Sequence, residues 1–403
     1  MTDATPDHPL AGLKVLDLSR VLAGPFAGRM LSDLGADVVK VEPPDGDVTR
    51  FWGKVIGGIP GYYHQQNAGK RNISVDLRAP GAVELILDLV RRADILIENY
   101  RPDVMPRLGL GYQTLKAVNP RLIMLSISGF GHDGPESRRP AYAPIVHAEL
   151  GLMDRTMRRG KVARGDLPLS VADTNASLHG LIGVLAAVVM RQRTGLGQHI
   201  DMAMMDATLV TDDQIHYELE DAEGTMGLPN DVWPTGAGPI LVSADFRHFW
   251  RSLTRAGVLA DSAQGVEDLA AKIAARRGAV DAYMRGLADW EAVAAAMDRI
   301  NIAWGRVRRG HDLAEHPTLI HRGSIAQIDD RAGGARPTPQ SPYRFSAARS
   351  GIRGGAPHRG EHNAEVLGEW LGLDAGAVAL LAGAGVLSSE SDQEAGPRGP
   401  RPR

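Results

Sequence analysis

Short apolar runs alternate with helical stretches through the first third of the sequence, and this alternation limits the fold more than any other feature. Residues 14–18 and 37–41 are apolar runs on either side of a helical stretch at about 25–34. Such a succession is typical of a βαβ unit, and it continues as far as the apolar run at 122–127. The sequence therefore predicts an α/β fold with a doubly wound, mostly parallel sheet of the Rossmann type.

The turn after the first apolar run lacks the glycine spacing of a dinucleotide fingerprint. Gly24 and Gly28 stand there, whereas a pyrophosphate-binding turn needs G-x-G-x-x-G. We therefore expect no dinucleotide and no tightly bound cofactor.

Two stretches rich in glycine and proline, at 224–238 and 333–341, indicate domain boundaries. We expect residues 1–220 to form the first part of a large α/β domain and residues 221–335 to form a smaller α+β domain with its linkers. Residues 388–403 have almost no apolar content, and we expect them to be a disordered tail.

Composition excludes several classes of function. The 45 basic and 48 acidic residues are spread along the chain, so there is no basic field for nucleic acid. With no cysteine, the chain has no disulfides, no thiolate zinc site and no cysteine nucleophile. The N-terminus does not look like a signal peptide, and the longest apolar run, 181–190, falls short of the roughly 20 residues of a membrane span. We expect a cytoplasmic protein without a membrane partner.

Asp173 is a candidate catalytic residue because of the junction at which it stands. It follows the run PLSVA, which we expect to be an apolar strand, and precedes a long apolar stretch, 174–193, that is typical of a helix buried between layers. A helix N-terminus favours the charged form of a carboxylate, which could then act as a nucleophile. An aspartate in this place most often only caps its helix, so the pattern alone leaves both roles open.

Basic residues stand near two predicted strand ends. Lys70, Arg71 and Arg78 surround one short strand, and Arg101 and Arg107 follow the next. Ligands bind at the carboxyl ends of parallel strands, and a local cationic cluster suits a phosphate-bearing ligand. Each of these residues could equally be a solvated loop charge.

The histidines lack the spacing of a metal site, so no metal is predicted. His179 lies inside the predicted long helix on a different face from Asp173, and we expect it to be a core histidine. His147 lies in a segment flanked by glycine and proline and could line a site.

Four stretches carry a family resemblance over nearly the whole chain. They are LAGLKVLDLSRVLAGPFAGRMLSDLGADVVKVEPPDGDVTR, NAGKRNISVDL, ADILIENYRPDVMPRLGLGYQTLKAVNPRLIMLSISGFGHDGP and DTNASLHGLIGVLAAVVMRQRTGLGQHIDMAMMDA. In this order they resemble the type III CoA-transferase family, which includes formyl-CoA transferase, carnitine CoA-transferase and the 2-methylacyl-CoA racemases. GEHNAEVLGEWLGL resembles the end of the family's chains, and the resemblance is lost mainly between residues 221 and 330 and in the tail.

The resemblance assigns roles to individual residues. Asp173 matches the family's nucleophilic aspartate. The residues that match CoA-contacting positions are Val75, Asp76, Leu77, Arg78, Asn99, Tyr100, Arg101 and Arg107. Coenzyme A is thus implied as a co-substrate, with acyl-CoA and a small carboxylic acid as the substrates.

The chain also departs from the family pattern. Leu22 stands where formyl-CoA transferases have glutamine, Pro43 where they have arginine, and Pro140 where some relatives have lysine. The glycine-rich loop of the smaller domain has at best a short counterpart at 234–239. These departures count against formyl or oxalate specificity.

The resemblance implies transfer of CoA from an acyl-CoA donor to a carboxylic acid through an aspartyl anhydride and an aspartyl-CoA thioester. A 2-methylacyl-CoA racemase is one alternative, but Tyr142 stands where that enzyme has a histidine, and His147 would have to replace it. A CoA-binding protein without turnover is the other. The resemblance also implies an interlocked homodimer in which residues 336–387 return to the large domain.

Overall fold

The structure is a computed structural model that describes residues 8–160, 165–222, 230–261 and 263–390. Contacts divide the chain into two units. The larger unit contains Met1–Asp213 and His321–Arg403, and the smaller unit contains Gln214–Ile320.

The larger unit begins with alternating strands and helices. Its first strands are β1 (Lys14–Asp17), β2 (Asp37–Glu42), β3 (Val55–Ile56), β4 (Ile59–Pro60), β5 (Arg71–Ser74), β6 (Ile95–Glu98), β7 (Ile123–Ser128) and β8 (His199–Ala203). The helices among them are α1 (Ala23–Asp33), α2 (Gly61–Asn67), α3 (Ala82–Arg92), α4 (Val104–Arg107), α5 (Tyr112–Val118), α6 (Ala143–Glu149), α7 (Leu152–Gly160), α8 (Val171–Thr194) and α9 (Met204–Thr211), with a 3₁₀ turn at Val48–Phe51.

Six of these strands form one parallel sheet in the order β5-β2-β1-β6-β7-β8. The prediction of an α/β fold with a parallel sheet is thereby confirmed. The chain leaves β1 toward β2 on one side, and it later returns to β6 on the other side. A crevice opens at such a reversal of strand order, between the loops that follow β1 and β6.

Alternate residues of the strands supply two apolar cores, one on each face of the sheet. Leu16 and Leu96 belong to the core that includes residues of α3. Val15 and Ile95 belong to the other core, with residues of α1 and α8. The buried faces of these helices therefore fix where α1 and α8 begin relative to the strand ends.

Helix α8 is the predicted long apolar helix, but the expectation that it is buried all round is wrong. One face lies against the sheet so closely that a Cβ added at Gly180 would be 2.9 Å from Leu125. The opposite face exposes Leu178, Ile182 and Val189, at 40%, 61% and 57%. An apolar sequence does not show how many faces of the helix pack against other elements. By length and composition α8 could also cross a membrane, a test that core helices of soluble proteins pass as well.

The smaller unit has its own sheet and core. Its elements are α10 (Ile215–Leu219), β9 (Asp231–Trp233), β10 (Ile240–Val242), α11 (Phe246–Arg255), α12 (Leu269–Arg285), α13 (Trp290–Ile300), β11 (Trp304–Arg306), a 3₁₀ turn at Gly310–Glu315 and α14 (Pro317–His321), which reaches the boundary. The three strands pair antiparallel in the order β11-β10-β9. Asp245, Asp268 and Asp289 cap α11, α12 and α13 by accepting a backbone N–H.

The chain then re-enters the larger unit. Its last elements are β12 (Ile325–Asp329), β13 (Ala335–Pro339), α15 (Asn363–Leu371) and α16 (Ala375–Gly383). Arg336 ties the β12–β13 hairpin to this unit, because its guanidinium donates to the carbonyls of Ile59 and Lys54, each at 2.8 Å. The predicted smaller domain, 221–335, thus includes β12, the first strand of a hairpin that the contacts place in the larger unit. Of the predicted tail, residues 391–403 lie outside the described residues.

Candidate active site

The loops after β1, β6 and β7 line a cavity of about 250 Å³ together with the first residues of α1 and α8. We call it the first cavity. Arg20 and Val21 come from the loop after β1, Asn99 from the loop after β6, and Tyr142 from the residue before α6. Asp173 lies in its wall. The cavity thus occupies the crevice expected at the reversal of strand order.

The strand expected just before Asp173 is absent from the described residues 165–170, because α8 already begins at Val171. Asp173 is therefore the third residue of the helix, and Ser170 takes the cap position. The side chain is buried, with 8% of the residue exposed. Its carboxylate faces the backbone N–H groups of Ala23 and Ala143, the first residues of α1 and α6, and these N–H groups lower its pKa. Three helix N-termini therefore converge on this carboxylate, each with unpaired N–H groups and the positive end of its dipole.

Burial raises the pKa of Asp173 to about 6. A positive charge on His147 would lower it, and the backbone N–H groups of Ala143 and Ala23 lower it as well. The helix N-terminus does favour the charged form, as the sequence suggested, but loss of water has the larger effect. At pH 7 about nine in ten of the carboxylates are still ionised, since the pKa lies about one unit below.

His147 is fully buried in α6 and faces the start of α8. Its Nε2 accepts the backbone N–H of Ala172 at 3.2 Å, and its Nδ1 lies 2.7 Å from a carboxylate oxygen of Asp166. Both ring nitrogens are thus engaged, and His147 is absent from the described wall of the first cavity. His179 is half-buried on α8 and does not line that cavity either.

A second cavity of about 220 Å³ lies at the carboxyl ends of β2 and β5. The predicted CoA-contacting residues that line it are Val75, Asp76, Leu77, Arg78 and Tyr100. Tyr100 also lines the first cavity, as do Asn99 and Arg101. Seven of the eight residues matched to CoA positions thus border two cavities that share one tyrosine.

Arg107 is the eighth, and the structure does not bring it to either cavity. It is exposed on α4 and forms an ion pair with Asp103 at 3.2 Å. Arg78 pairs with Asp76 at 2.9 Å beside the second cavity.

The expected cationic cluster around Lys70 is wrong for two of its three members. Lys70 is buried and donates to Asp17 at 2.8 Å. Arg71 binds Asp37, Glu365 and Glu369. These acidic partners are distant in sequence, which is why the local pattern suggested free cations.

Several residues in or near the site were missed in the sequence, among them Arg20, Val21 and Tyr62. Arg20 and Val21 directly follow β1 at the reversal of strand order, so the strand-end rule could have found them. Tyr62 comes from α2, and no local pattern marks it. Burial and the negative charge of Asp173 raise the pKa of Tyr62 to about 12, which places its phenol in the field of that carboxylate.

The residues that depart from the family pattern lie in different parts of the structure. Leu22 is buried at the start of α1, Pro43 lines the second cavity and Pro140 lines the first. Thr235 and Gly238, in the short counterpart of the glycine loop, close a turn between β9 and β10 with two backbone hydrogen bonds of 3.2 Å. Within the described ranges, no three His, Asp or Glu residues are grouped to hold a metal ion.

Comparisons with known proteins agree with one another. The sequence profile of CoA-transferase family III matches residues 10–363. The succinate–glutarate CoA-transferase of Agrobacterium fabrum is 32% identical over 385 residues, which cover 90% of this chain and 95% of that protein. The succinyl-CoA–D-citramalate CoA-transferase of Chloroflexus aurantiacus is 30% identical, over 94% of this chain and 98% of its own. A solved CAIB/BAIF family protein from Brucella suis aligns with a TM-score of 0.76 at 32% identity, covering 90% of this chain and all of that one.

Proposed function

The chain belongs to CoA-transferase family III and is an enzyme of that family, and we propose that it moves CoA from an acyl-CoA to a carboxylic acid with Asp173 as the nucleophile. One observation carries the role of Asp173. Among the described residues of the first cavity it is the only carboxylate, and three helix N-termini surround it. Its pKa of about 6 leaves it ionised at neutral pH while burial strips it of water.

The proposed reaction conserves the thioester in four steps. The Asp173 carboxylate attacks the donor thioester carbonyl, which gives a mixed anhydride and releases CoA thiolate. The thiolate attacks the aspartyl carbonyl, so the donor acid leaves and an aspartyl-CoA thioester remains. The acceptor carboxylate attacks this thioester, giving a second anhydride and free thiolate. Attack of the thiolate on the acceptor carbonyl then forms acceptor-CoA and restores the carboxylate.

The backbone N–H groups around Asp173 support this chemistry. The second and third attacks place negative charge on the oxygen of the aspartyl carbonyl, and the fourth returns negative charge to the Asp173 carboxylate. The N–H groups of Ala23 and Ala143 already point at this carboxylate, so they can stabilise that charge without reorganising.

We propose further that at least one of the acids is a dicarboxylate. Both relatives named above are CoA-transferases of dicarboxylic or hydroxydicarboxylic acids by name. Arg20 and Arg101 line the first cavity, and neither forms an ion pair within the described residues. A guanidinium without a carboxylate partner suits the second carboxylate of such an acid.

The test is to trap the aspartyl intermediate. The protein is incubated with succinyl-CoA and then with hydroxylamine, and the peptide that contains Asp173 is analysed by mass spectrometry. We expect a hydroxamate at Asp173 and none in Asp173→Asn, which should lose CoA transfer by on the order of 10³-fold or more. Turnover without modification of Asp173 would contradict the scheme. If the wild type binds CoA but transfers none, the protein is a CoA-binding protein without transferase activity.

A racemase would exchange the proton at C2 of a 2-methylacyl-CoA, and this can be tested separately. Proton exchange at C2 needs two acid/base groups astride that carbon. Tyr142 stands at the position of the racemase histidine, and both nitrogens of His147 are engaged outside the cavity wall. We therefore expect no deuterium at C2 when 2-methylacyl-CoA is incubated in deuterated water.

We also propose a homodimer of interlocked, doubly wound subunits in the cytoplasm. Exposed Leu178, Ile182 and Val189 form an apolar stripe on α8, which would be unusual on a free surface. Apolar cores on both faces of the parallel sheet support the doubly wound form. Light scattering coupled to size exclusion should give the mass of two chains, and aspartate substitutions at Ile182 and Val189 should shift it toward one.

A further inference from the structure

Val21 has a backbone conformation that β-branched residues rarely adopt. Its φ is +69°, in the left-handed region. Such strain persists only where the surrounding structure over-determines it, and it is concentrated at functional sites. Val21 lines the first cavity together with Ala23 and Asp173, and the hydroxyl of Ser177 contacts the carbonyls of both Ala23 and Asp173. The backbone N–H of Ala23, two residues after Val21, faces the Asp173 carboxylate and lowers its pKa.

The backbone around Val21 is held by side chains at five consecutive polar groups. Asp17 accepts the N–H of Ser19 at 3.0 Å, and Lys40 donates to the Ser19 carbonyl at 2.8 Å. Asn99 binds both the N–H and the carbonyl of Arg20, each at 2.8 Å. The N–H of Val21 itself donates to Asp47 at 3.1 Å.

Asp47 is fixed from the other side as well. It is 2% exposed, and one oxygen accepts the N–H and the hydroxyl of Thr49 at 3.0 and 2.9 Å. Its other oxygen, which accepts the Val21 N–H, lies 3.2 Å from the Lys40 ammonium. The carboxylate therefore has no freedom to follow Val21 if that residue relaxes.

Gly24 shows how tightly the chain turns here. A Cβ at this position would lie 2.1 Å from the Cβ of Ser19, so no larger residue fits. The five residues from Ser19 to Ala23 therefore form a tight connection, and the backbone between the end of β1 and the first N–H groups of α1 has little room to move.

We propose that Asp47 is a positioning residue that holds Val21 in the left-handed conformation and thereby aims the N-terminus of α1 at the Asp173 carboxylate. Asp47 lines neither described cavity, so it acts through Val21 and Ala23. The inference rests on the proposed function only in taking Asp173 as the nucleophile.

Glycine offers a rescue that a purely stabilising network would not show. It adopts positive φ without strain, so in a V21G background the turn no longer needs its restraint. D47N should lower kcat about tenfold and change KM for acyl-CoA less than about twofold in the parent, but lower kcat less than about threefold in V21G. V21A is the matched control, because it also shortens the side chain but keeps the strained L-residue, and D47N should keep most of its effect there. Equal losses of kcat in all three backgrounds would overturn the proposal.

A second measurement does not depend on turnover. The carboxyl of Asp173 can be titrated by ¹³C NMR in protein labelled at aspartate and assigned by the signal lost in D173N. If D47N moves the Ala23 N–H away, the pKa of Asp173 should rise, and V21G should bring it back. An unchanged titration in D47N refutes the inference. A wild type without CoA transfer would reject the proposed function instead, and the titration would still decide this point.

T49V covers the case in which D47N does not fold. It removes only the hydroxyl that donates to Asp47. The same pattern is expected on a smaller scale, with about a threefold loss of kcat that V21G suppresses. No difference between the backgrounds would again contradict the proposal.

Discussion

Two segments line the first cavity and are held in opposite ways. The inner segment, residues 19–22, has five consecutive backbone groups bonded to side chains from β1, β2, the loop after β2 and the loop after β6. The outer segment, residues 137–142, has its ion pairs at the surface, where Arg139 binds Glu136 and Glu149. Tyr142 in this segment is 52% exposed.

This difference separates two kinds of contribution to one site. N–H groups that must meet a developing charge work best when they are fixed before the reaction, and the inner segment is built that way. Exposed ion pairs hold a side chain only weakly. We therefore expect substitutions near the inner segment to change the reaction strongly, and substitutions in the outer segment to change it little.

The largest effect is expected for the free energy of unfolding of D173N. Asp173 is the buried acid that the helix N-termini face. The pKa of Asp173 is about 6 in the folded protein against an ordinary value of 3.8. Because the folded value is the higher one, the protonated acid is favoured by folding, and this favourable contribution is lost as the pH rises through 6. At pH 7 the ionised carboxylate costs about 3 kcal/mol.

D173N should therefore raise the free energy of unfolding by up to about 3 kcal/mol at pH 7, and the gain should vanish near pH 4. Urea unfolding of both proteins at pH 4, 5, 6 and 7 checks this. If burial does not raise the pKa of Asp173, the asparagine variant will show no such gain at any pH.

A smaller effect is expected for Arg20→Met, which removes from the inner segment a guanidinium that forms no ion pair within the described residues. The backbone of Arg20 is fixed by Asn99, and its guanidinium lies 6.0 Å from the ring centroid of Tyr100. If it binds the second carboxylate of a dicarboxylic acceptor, KM for that acceptor should rise about tenfold. A monocarboxylic acceptor of the same chain length is the internal control. Equal changes for both acceptors would remove Arg20 from acid recognition.

The sequence predicted the parts of this molecule that depend on neighbours in the chain. Apolar runs such as 14–18 gave the strands of the parallel sheet, because alternation with helices is a local pattern. The strand-end rule placed Arg78, Arg101 and Arg107 at one edge, and the family resemblance added residues 75–77, 99 and 100. All of them except Arg107 border the two cavities. For Arg107 the rule failed, because this residue lies on the helix α4 that follows β6 and not in the loop at the strand end.

Interactions between distant residues were beyond prediction. Lys70 looked like a free cation because its partner, Asp17, is 53 residues away. Asp173 looked like a cap because the N–H groups that meet it belong to Ala23 and Ala143. Valine gives no hint of a left-handed turn, since the conformation of Val21 is imposed by Asp47 and not by its own preference.

The smallest effect is expected for Arg139→Met, the matched change in the outer segment. Arg139 lines the same cavity as Arg20, but two carboxylates already neutralise its charge. It can therefore add little to the binding of an acidic substrate, and KM for a dicarboxylic acceptor should change less than about threefold. Measured beside Arg20→Met in one assay, it tests the contrast between the segments directly. A change as large as that of Arg20→Met would mean that the outer segment recognises the acid, with Glu136 and Glu149 giving up Arg139 when the substrate binds.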